Sequence, residues 1–339
     1  MRSEITIELG ALRRNVATLL RVLEESELWA VVKANAYGHG AVECARAALD
    51  EGATALCLAT VAEALALRRE LPDARMLVMS PARQSELSAA REARLELVVS
   101  GGTIPEGVPL HLKLDTGMGR WGLSELTAPG RDVVGLMTHL ATADTDHAFA
   151  REQLERFRAA TEPFSHLTRH AANSAAALRL PESRFDAVRC GIALYGLSPF
   201  GEDPVVDGLE PVLTWRTEIA QARLLRAGES TGYGRGFVAE TDTWIGILPI
   251  GYADGFRRDL TGTHVLVDGE RCLVVGAVSM DATAIRLGRD HPPGTTVTLV
   301  GPGLPLEEHA QIAGTLTYEL ACGIDTPPTR SSRIFHGQD

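Results

Sequence analysis

Lys33 closes the run LWAVVK (28–33) and opens ANAYGHG, so that Ala34, Asn35, Ala36, Gly38 and Gly40 crowd around it. A lone lysine at a strand end ordinarily lays its stem on apolar surface and sends its amine to water. Here the small neighbours clear the space that a bound ring requires. Desolvation in such a place lowers an amine's pKa toward Schiff-base chemistry. Tyr37 follows four residues later, close enough to bind the same ligand. The run LHLKLD (110–115) alternates Leu110, Leu112 and Leu114 with His111, Lys113 and Asp115, one aliphatic face and one ionisable face. Further along, His139 ends VVGLMTH (133–139), His170 ends SHLTRH (165–170), and Arg189 lies inside AVRCGI (187–192).

Those residues need elements to hold them. Eight short aliphatic or β-branched runs recur at intervals of roughly 15 to 30 residues, the spacing of strand–helix units. Besides the four named, and LWAVVK, they are ALCLAT (55–60), RMLVMS (75–80) and LELVVS (95–100). Stretches rich in Ala, Leu, Glu and Arg separate them, and HAFAREQLERFRAATEP (147–163) puts Ala150, Leu154 and Phe157 on one helical face. Eight such units predict a closed (β/α)8 TIM barrel, whose chemistry belongs at the C-terminal ends of the strands. Leucines suit the face under the helices, which turns His111, Lys113 and Asp115 toward the lumen. Two crossovers, near 101–109 and 123–130, are too short and too rich in Gly and Pro for full helices.

From about residue 197 the pattern changes. LSPFGEDPVVDGLEP (197–211) reads as a linker, and beyond it strand-like segments dominate, with Asp268-Gly269 as a hairpin signal. LEEHAQIAGTLTYELA (306–321) reads as one helix or two. The expected organisation is a barrel over 1–209 and a mostly antiparallel C-terminal β-domain over 210–339.

Composition narrows the function classes. The chain has 339 residues, 45% hydrophobic and 23% charged, with a formal net charge of −11. An acidic balance argues against nucleic acid or an anionic membrane as the main partner. Aromatics at 5% leave little for base stacking. No run reaches the length of a membrane span, and the start MRSEITIELG lacks the apolar stretch of a signal peptide. Five cysteines, widely spaced and without a CxxC, fit reduced thiols better than disulfides or a metal site. The expectation is a cytoplasmic enzyme without metal. GMGRWG (117–122) matches GxGxxG, but Pro129-Gly130 stops any helix within about two turns, against a dinucleotide fold. The glycines instead let the chain pass close to a ligand, with Arg120 aimed inward.

VVKANAYGHG, KLDTGMGRWG, THLATAD, HAANSAA, VRCGIALYGL, TGYG, PIGYADG and VGAVSMDA stand in the order found in alanine racemases, and the chain resembles that family over most of its length. The resemblance implies a pyridoxal 5'-phosphate enzyme of fold type III working as a head-to-tail homodimer. It interconverts L- and D-alanine, the latter a peptidoglycan precursor. It implies that Lys33 holds the cofactor and acts as base on one face of the substrate. Tyr233, otherwise an ordinary turn tyrosine, becomes the base on the opposite face, contributed by the other subunit. A tyrosine's reference pKa near 10 calls for help, and His139 is the candidate, unless it is simply a core histidine.

Arg189 matches the partner of the pyridine nitrogen, with His170 behind it. Tyr37, Ser174, Tyr318 and the amides of Gly191 and Ile192 match phosphate ligands; Ser174 also suits a helix N-cap. Arg120 and Asn173 would meet the substrate. Tyr252, Met280 and Asp281 match the partner's side of the entrance. Lys113 matches a lysine carbamylated in many members, which would brace Arg120.

Two departures stand out. Ala277 replaces an arginine of the entrance motif, and ACGIDTPPTRSSRIF departs from the usual ending, which bears on Tyr318. A racemase of broader specificity, accepting serine, is therefore the main alternative. A non-catalytic pyridoxal-phosphate carrier would lack the β-domain and any counterpart of Tyr233. A decarboxylase of the same fold type would pair the ring nitrogen with a carboxylate, where this chain has Arg189.

Overall fold

The computed structural model describes residues 2–337 apart from 127 and 325. The chain divides into two compact units. One comprises Leu12–Phe200 with Val205–Glu210, the other Met1–Ala11, Gly201–Pro204 and Pro211–Asp339.

The first unit is a closed barrel of eight parallel strands. In order they are Glu27–Val31, Ala55–Leu58, Met76–Val78, Glu96–Val99, Leu110–Lys113, Val133–Met137, Thr168–His170 and Ala187–Cys190. Each falls within one of the eight predicted runs or begins one residue before it. Strands such as ALCL, MLV and AVRC are buried throughout, as parallel strands covered on both faces must be. The ring closes where Trp29 of the first strand stands beside Arg189 of the eighth. Helices Ala41–Asp50, Val61–Glu70, Leu87–Glu92, His147–Thr161 and Ser174–Arg179 serve five of the crossovers. The connections after the fourth and fifth strands contain no helix among the described residues, as their Gly and Pro content predicts.

The second unit is built on a nine-stranded sheet. Its order is Gln221–Leu225, Thr243–Leu248, Thr283–Leu287, Glu270–Val275, His264–Val267, Thr296–Val300, Leu213–Glu218, Ser3–Glu8 and Ser332–His336. All neighbours are antiparallel except the last pair. Asp268 (φ 50°) and Gly269 (φ 82°) form the expected tight turn between His264–Val267 and Glu270–Val275. The stretch 306–321 is two helices, Leu306–Ala313 and Thr317–Gly323. One expectation fails at the N-terminus. Residues 1–11, read as the start of the barrel, belong to this second unit, because Ser3–Glu8 finds its partners at Trp215 and Arg333, far along the chain. The stretch read as a linker is itself shared between the units at Gly201–Pro204 and Val205–Glu210.

Among the described residues no helix is long and apolar enough to cross a membrane, and no cluster of His, Cys, Asp and Glu could hold a metal. None of the five cysteines is disulfide-bonded.

Candidate functional site

Lys33 stands half-buried just past the C-terminal end of the first barrel strand. The next four residues, Ala34, Asn35, Ala36 and Tyr37, all have φ between 51° and 54°. This is a left-handed turn built without glycine, a conformation costing roughly 1–2 kcal/mol per residue. Its surroundings hold it there. Glu63 Oε1 accepts the Ala34 amide at 2.9 Å, Asn35 Oδ1 accepts the Ala41 amide at 2.8 Å, and Gly38 N–H donates to Ala34 O at 3.0 Å. His39 is fully buried, with Nδ1 3.0 Å from Tyr37 O, and it stacks on Tyr195 at 4.5 Å. Tyr195 in turn donates to Val31 O at 2.7 Å, inside the first strand. Strain concentrated next to one lysine marks a place where geometry outweighs stability.

The turn delivers the Tyr37 ring to the end of the eighth strand. A Cβ at Gly191 would lie 2.5 Å from the Tyr37 hydroxyl, so only glycine leaves that wall open. Ser174 Oγ sits beside it, accepting the Gly191 amide at 3.0 Å and the Ala193 amide at 3.4 Å. The N-cap of Ser174–Arg179 is Asn173, whose Oδ1 accepts the Ala176 amide at 3.0 Å. Ser174 is thus the first helical residue, as its place at the head of SAAALRL implied, and the N-cap is its neighbour Asn173.

Arg189 is buried in the eighth strand and forms the centre of the lumenal chemistry. One terminal nitrogen donates to His170 Nδ1 at 2.6 Å and to His170 O at 3.0 Å. The other donates to Thr138 O at 2.9 Å and Ala171 O at 3.0 Å, and lies 3.4 Å from His139 Nδ1. Burial pulls its pKa down to about 10, still far above neutrality. Burial also pushes both imidazoles well below the usual histidine range, with the Arg189 charge adding to the effect.

The polar face of the fifth strand points inward as expected at His111 and Lys113, both buried. Burial brings Lys113 down to about 8, followed by repulsion from Arg120 and Arg189, against the attraction of Asp115. Asp115 does different work. Its carboxylate accepts the amides of Gly117, Met118 and Gly119 at 3.0, 2.9 and 3.1 Å. A Cβ at Gly122 would strike the Asp115 backbone. The GMGRWG glycines therefore wrap a loop around one carboxylate, and no helix opens on them. Arg120, expected to aim inward, is exposed at the end of that loop, with its guanidinium 5.6 Å from the Trp121 ring.

In the second unit four of the sequence-predicted residues gather on connected loops. Tyr233 lies between the paired Ser230–Thr231 and Phe237–Val238 and is 78% exposed. Its flanking Gly232 and Gly236 pack on the backbone of Gly276 and Ala277. A few residues on, the Tyr252 and Ala253 amides donate to Ser279 O and Met280 O at 3.0 and 3.1 Å, a contact so close that only glycine fits at 251. Asp281 pairs with Arg330 at 2.6 Å, and Arg330 also binds the buried Asp254 at 2.7 Å. Tyr318 is half-buried on Thr317–Gly323.

Several supporting residues escaped the sequence reading. Glu63 was findable, since Thr60 and Glu63 form a capping box on Val61–Glu70. Glu96, Thr138 and Tyr195 carried no local signal, because each acts through a partner distant in sequence, His111, Arg189 and Val31 respectively.

Comparison with known proteins gives a consistent picture. The alanine racemase N-terminal domain family matches residues 7–199, and the C-terminal domain family matches 212–333. Alanine racemase 1 of Bacillus subtilis (strain 168) is 38% identical, covering 97% of this chain and 92% of its own. Alanine racemase of Geobacillus stearothermophilus shows the same identity and coverage. The crystal structure of alanine racemase from E. faecalis superposes with a TM-score of 0.91 at 35% identity, over 99% of this chain and 98% of that one.

Proposed function

The chain belongs to the alanine racemase family, isomerases that depend on pyridoxal 5'-phosphate, and from that premise we propose that it interconverts L- and D-alanine with two opposed bases, Lys33 and the Tyr233 of a second subunit. The observation that carries this reading is the strained turn that brings Tyr37 against Gly191 beside Lys33, next to a buried arginine that donates to carbonyls and an imidazole nitrogen.

The residues fit the cofactor. The Tyr37 and Ser174 hydroxyls and the Gly191 and Ile192 amides are neutral donors around a wall kept open by glycine, which suits a phosphate. Tyr318 is a further candidate. Among the described residues Arg189 hydrogen-bonds to carbonyls and imidazole nitrogens. It suits a ring nitrogen that must accept. When bound, pyridoxal 5'-phosphate supplies the electron sink that acidifies the substrate Cα–H.

Lys33 holds the group through its amine and takes or returns the Cα proton on one face. Tyr233 does the same from the other face, as inversion requires. Arg189 keeps its proton and can only donate, so it would give the ring nitrogen a hydrogen bond and no proton, which would keep the electron sink weak. A weaker sink would favour return of the proton to Cα by Lys33 or Tyr233 over transfer elsewhere. His139 turns Nδ1 toward Arg189, which leaves Nε2–H to donate to the Tyr233 oxygen of the second subunit. Arg120 and the amide NH2 of Asn173 bind the substrate carboxylate, and Lys113, as a carbamate, braces Arg120. The partner's side of the entrance is formed by Tyr252, Met280 and Asp281. The working form is a head-to-tail homodimer in the cytoplasm, supplying D-alanine for peptidoglycan.

The test is a chiral assay of protein loaded with pyridoxal 5'-phosphate, given L-alanine in deuterium oxide. D-Alanine carrying deuterium at Cα is expected. Its absence, or exchange without inversion, overturns the reading. The same assay with L-serine decides whether Ala277 widens specificity; serine turnover at a comparable rate replaces alanine racemase by a broader racemase.

A further inference from the structure

The polar lumen does not end at His170. His170 Nε2 lies 2.8 Å from His111 Nδ1, and His111 Nε2 lies 2.8 Å from Glu96 Oε2. Glu96 opens the fourth strand, so its carboxylate stands at the N-terminal mouth of the barrel, opposite Lys33. There it accepts two hydrogen bonds from Arg75, at 2.7 and 3.1 Å. Arg75 also lies over the Trp29 ring at 4.6 Å, and Trp29 touches both imidazoles. A continuous chain Arg189–His170–His111–Glu96 thus runs through the barrel from the site to the far side.

Room was made for it. Gly135 of the sixth strand stands directly beside His111, and a Cβ there would overlap the imidazole ring. Its φ is not in the left-handed region, so the glycine serves space and not backbone conformation. A barrel that gives up one inward side chain to seat a histidine is organised around that histidine.

The chain also has a direction. A guanidinium has no acceptor, so His170 Nδ1 must be bare and its proton must sit on Nε2. That proton points at His111 Nδ1, which must be bare in turn, leaving Nε2–H to donate to Glu96. An ionised carboxylate accepts and cannot donate, so both ends enforce the same order. Burial, the largest effect on each, lowers the proton affinity of both imidazoles and keeps them neutral. A proton added to His111 Nδ1 would face His170 Nε2–H, and the conflict would pass to Arg189.

We propose that Glu96 is a positioning residue for the reaction: through the fixed tautomers of His111 and His170 it holds Arg189 in place as a donor toward the ring nitrogen of the cofactor. The proposal rests on the reading of Arg189 given above. Substitution Glu96→Gln frustrates the chain in either amide orientation. With its oxygen toward Arg75 Nε, the amide NH2 forces His111, then His170, into the wrong tautomer. With its oxygen toward His111, the NH2 meets the Arg75 N–H.

The experiment is long-range 1H–15N NMR of histidine-labelled protein loaded with pyridoxal 5'-phosphate, the two signals assigned with His111→Gln and His170→Gln. The wild type is expected to show both imidazoles neutral with the proton on Nε2. Glu96→Gln is expected to show the Nδ1–H form at one or both. Its kcat should fall about tenfold while KM stays within about twofold. Arg75→Lys leaves the carboxylate in place and should retain both tautomers. An Nδ1–H form in the wild type overturns the proposal, and so does a Glu96→Gln protein with unchanged tautomers and kcat. If Glu96→Gln does not fold, the wild-type spectrum still decides. The tautomers are read without turnover, so a protein that failed to racemise alanine would contradict the function and leave this result standing.

Discussion

Tyr233 exposes its ring on a loop of the second unit, and a tyrosine so placed is useful only if another surface comes to it. On the proposed function it acts on one face alone and should fail asymmetrically when its hydroxyl is removed. Tyr233→Phe is expected to suppress abstraction of the Cα proton from L-alanine far more than from D-alanine, measured as deuterium wash-in from each enantiomer. Equal losses would contradict the assignment of faces. Lys113 makes a second residue-scale case. At about 8 its pKa leaves an appreciable neutral fraction near physiological pH, and a neutral amine is the form that adds carbon dioxide. A carbamate signal is therefore expected by 13C NMR in labelled bicarbonate, absent from Lys113→Ala.

Glu96 sets a pH window. Burial raises its pKa, but hydrogen bonds from His111 and Arg75 outweigh this and bring it from 4.5 down to about 2. A carboxyl whose folded pKa lies below its unfolded value contributes stability that is full above the unfolded pKa and is lost as pH falls through the folded one. The loss should run from about 4.5 toward 2, worth on the order of 1–3 kcal/mol. The drop in urea midpoint across that range should be smaller in Glu96→Gln than in the wild type.

At the scale of elements, the eight barrel strands were legible because most are short apolar runs largely buried on both faces, and short Gly- and Pro-rich connections forecast the two crossovers without helices. The alternation of LHLKLD exposed the lumenal face, His111 included. Three features were not legible, each for a physical reason. The left-handed turn after Lys33 uses Ala34, Asn35, Ala36 and Tyr37, of which only asparagine favours that region. The strand Ser3–Glu8 looks like any amphipathic start, and its partners lie at the opposite end of the chain. Glu96 reads as the polar edge of LELVVS, since its meaning comes from His111 on the neighbouring strand. Packing offers a direct check here. Gly135→Ala would press a methyl into the His111 ring, at a cost of about 1–3 kcal/mol. A lowered thermal midpoint is expected, with partial recovery in the double variant Gly135→Ala/His111→Ala; no change in the single variant would show that the ring has room to move.

For the whole molecule, length and charge excluded more than they assigned. The acidic balance is silent about an amino-acid substrate, while 339 residues allowed two units. The decisive division is chemical: Lys33, Tyr37, Ser174, Arg189, Gly191 and Ile192 lie in the barrel unit, and Tyr233, Tyr252, Met280, Asp281 and Tyr318 lie in the other. On the proposed function each site joins the barrel of one chain to the β-unit of a second, and neither unit racemises alone. Subunit complementation tests this directly. Lys33→Ala and Tyr233→Phe proteins, each purified alone with pyridoxal 5'-phosphate, should form essentially no D-alanine. Hybrids from co-expression should regain activity approaching about a quarter of the wild-type sites, because one site of each mixed dimer keeps both bases. Mixed dimers that stay inactive, or racemisation by Lys33→Ala on its own, would contradict the account.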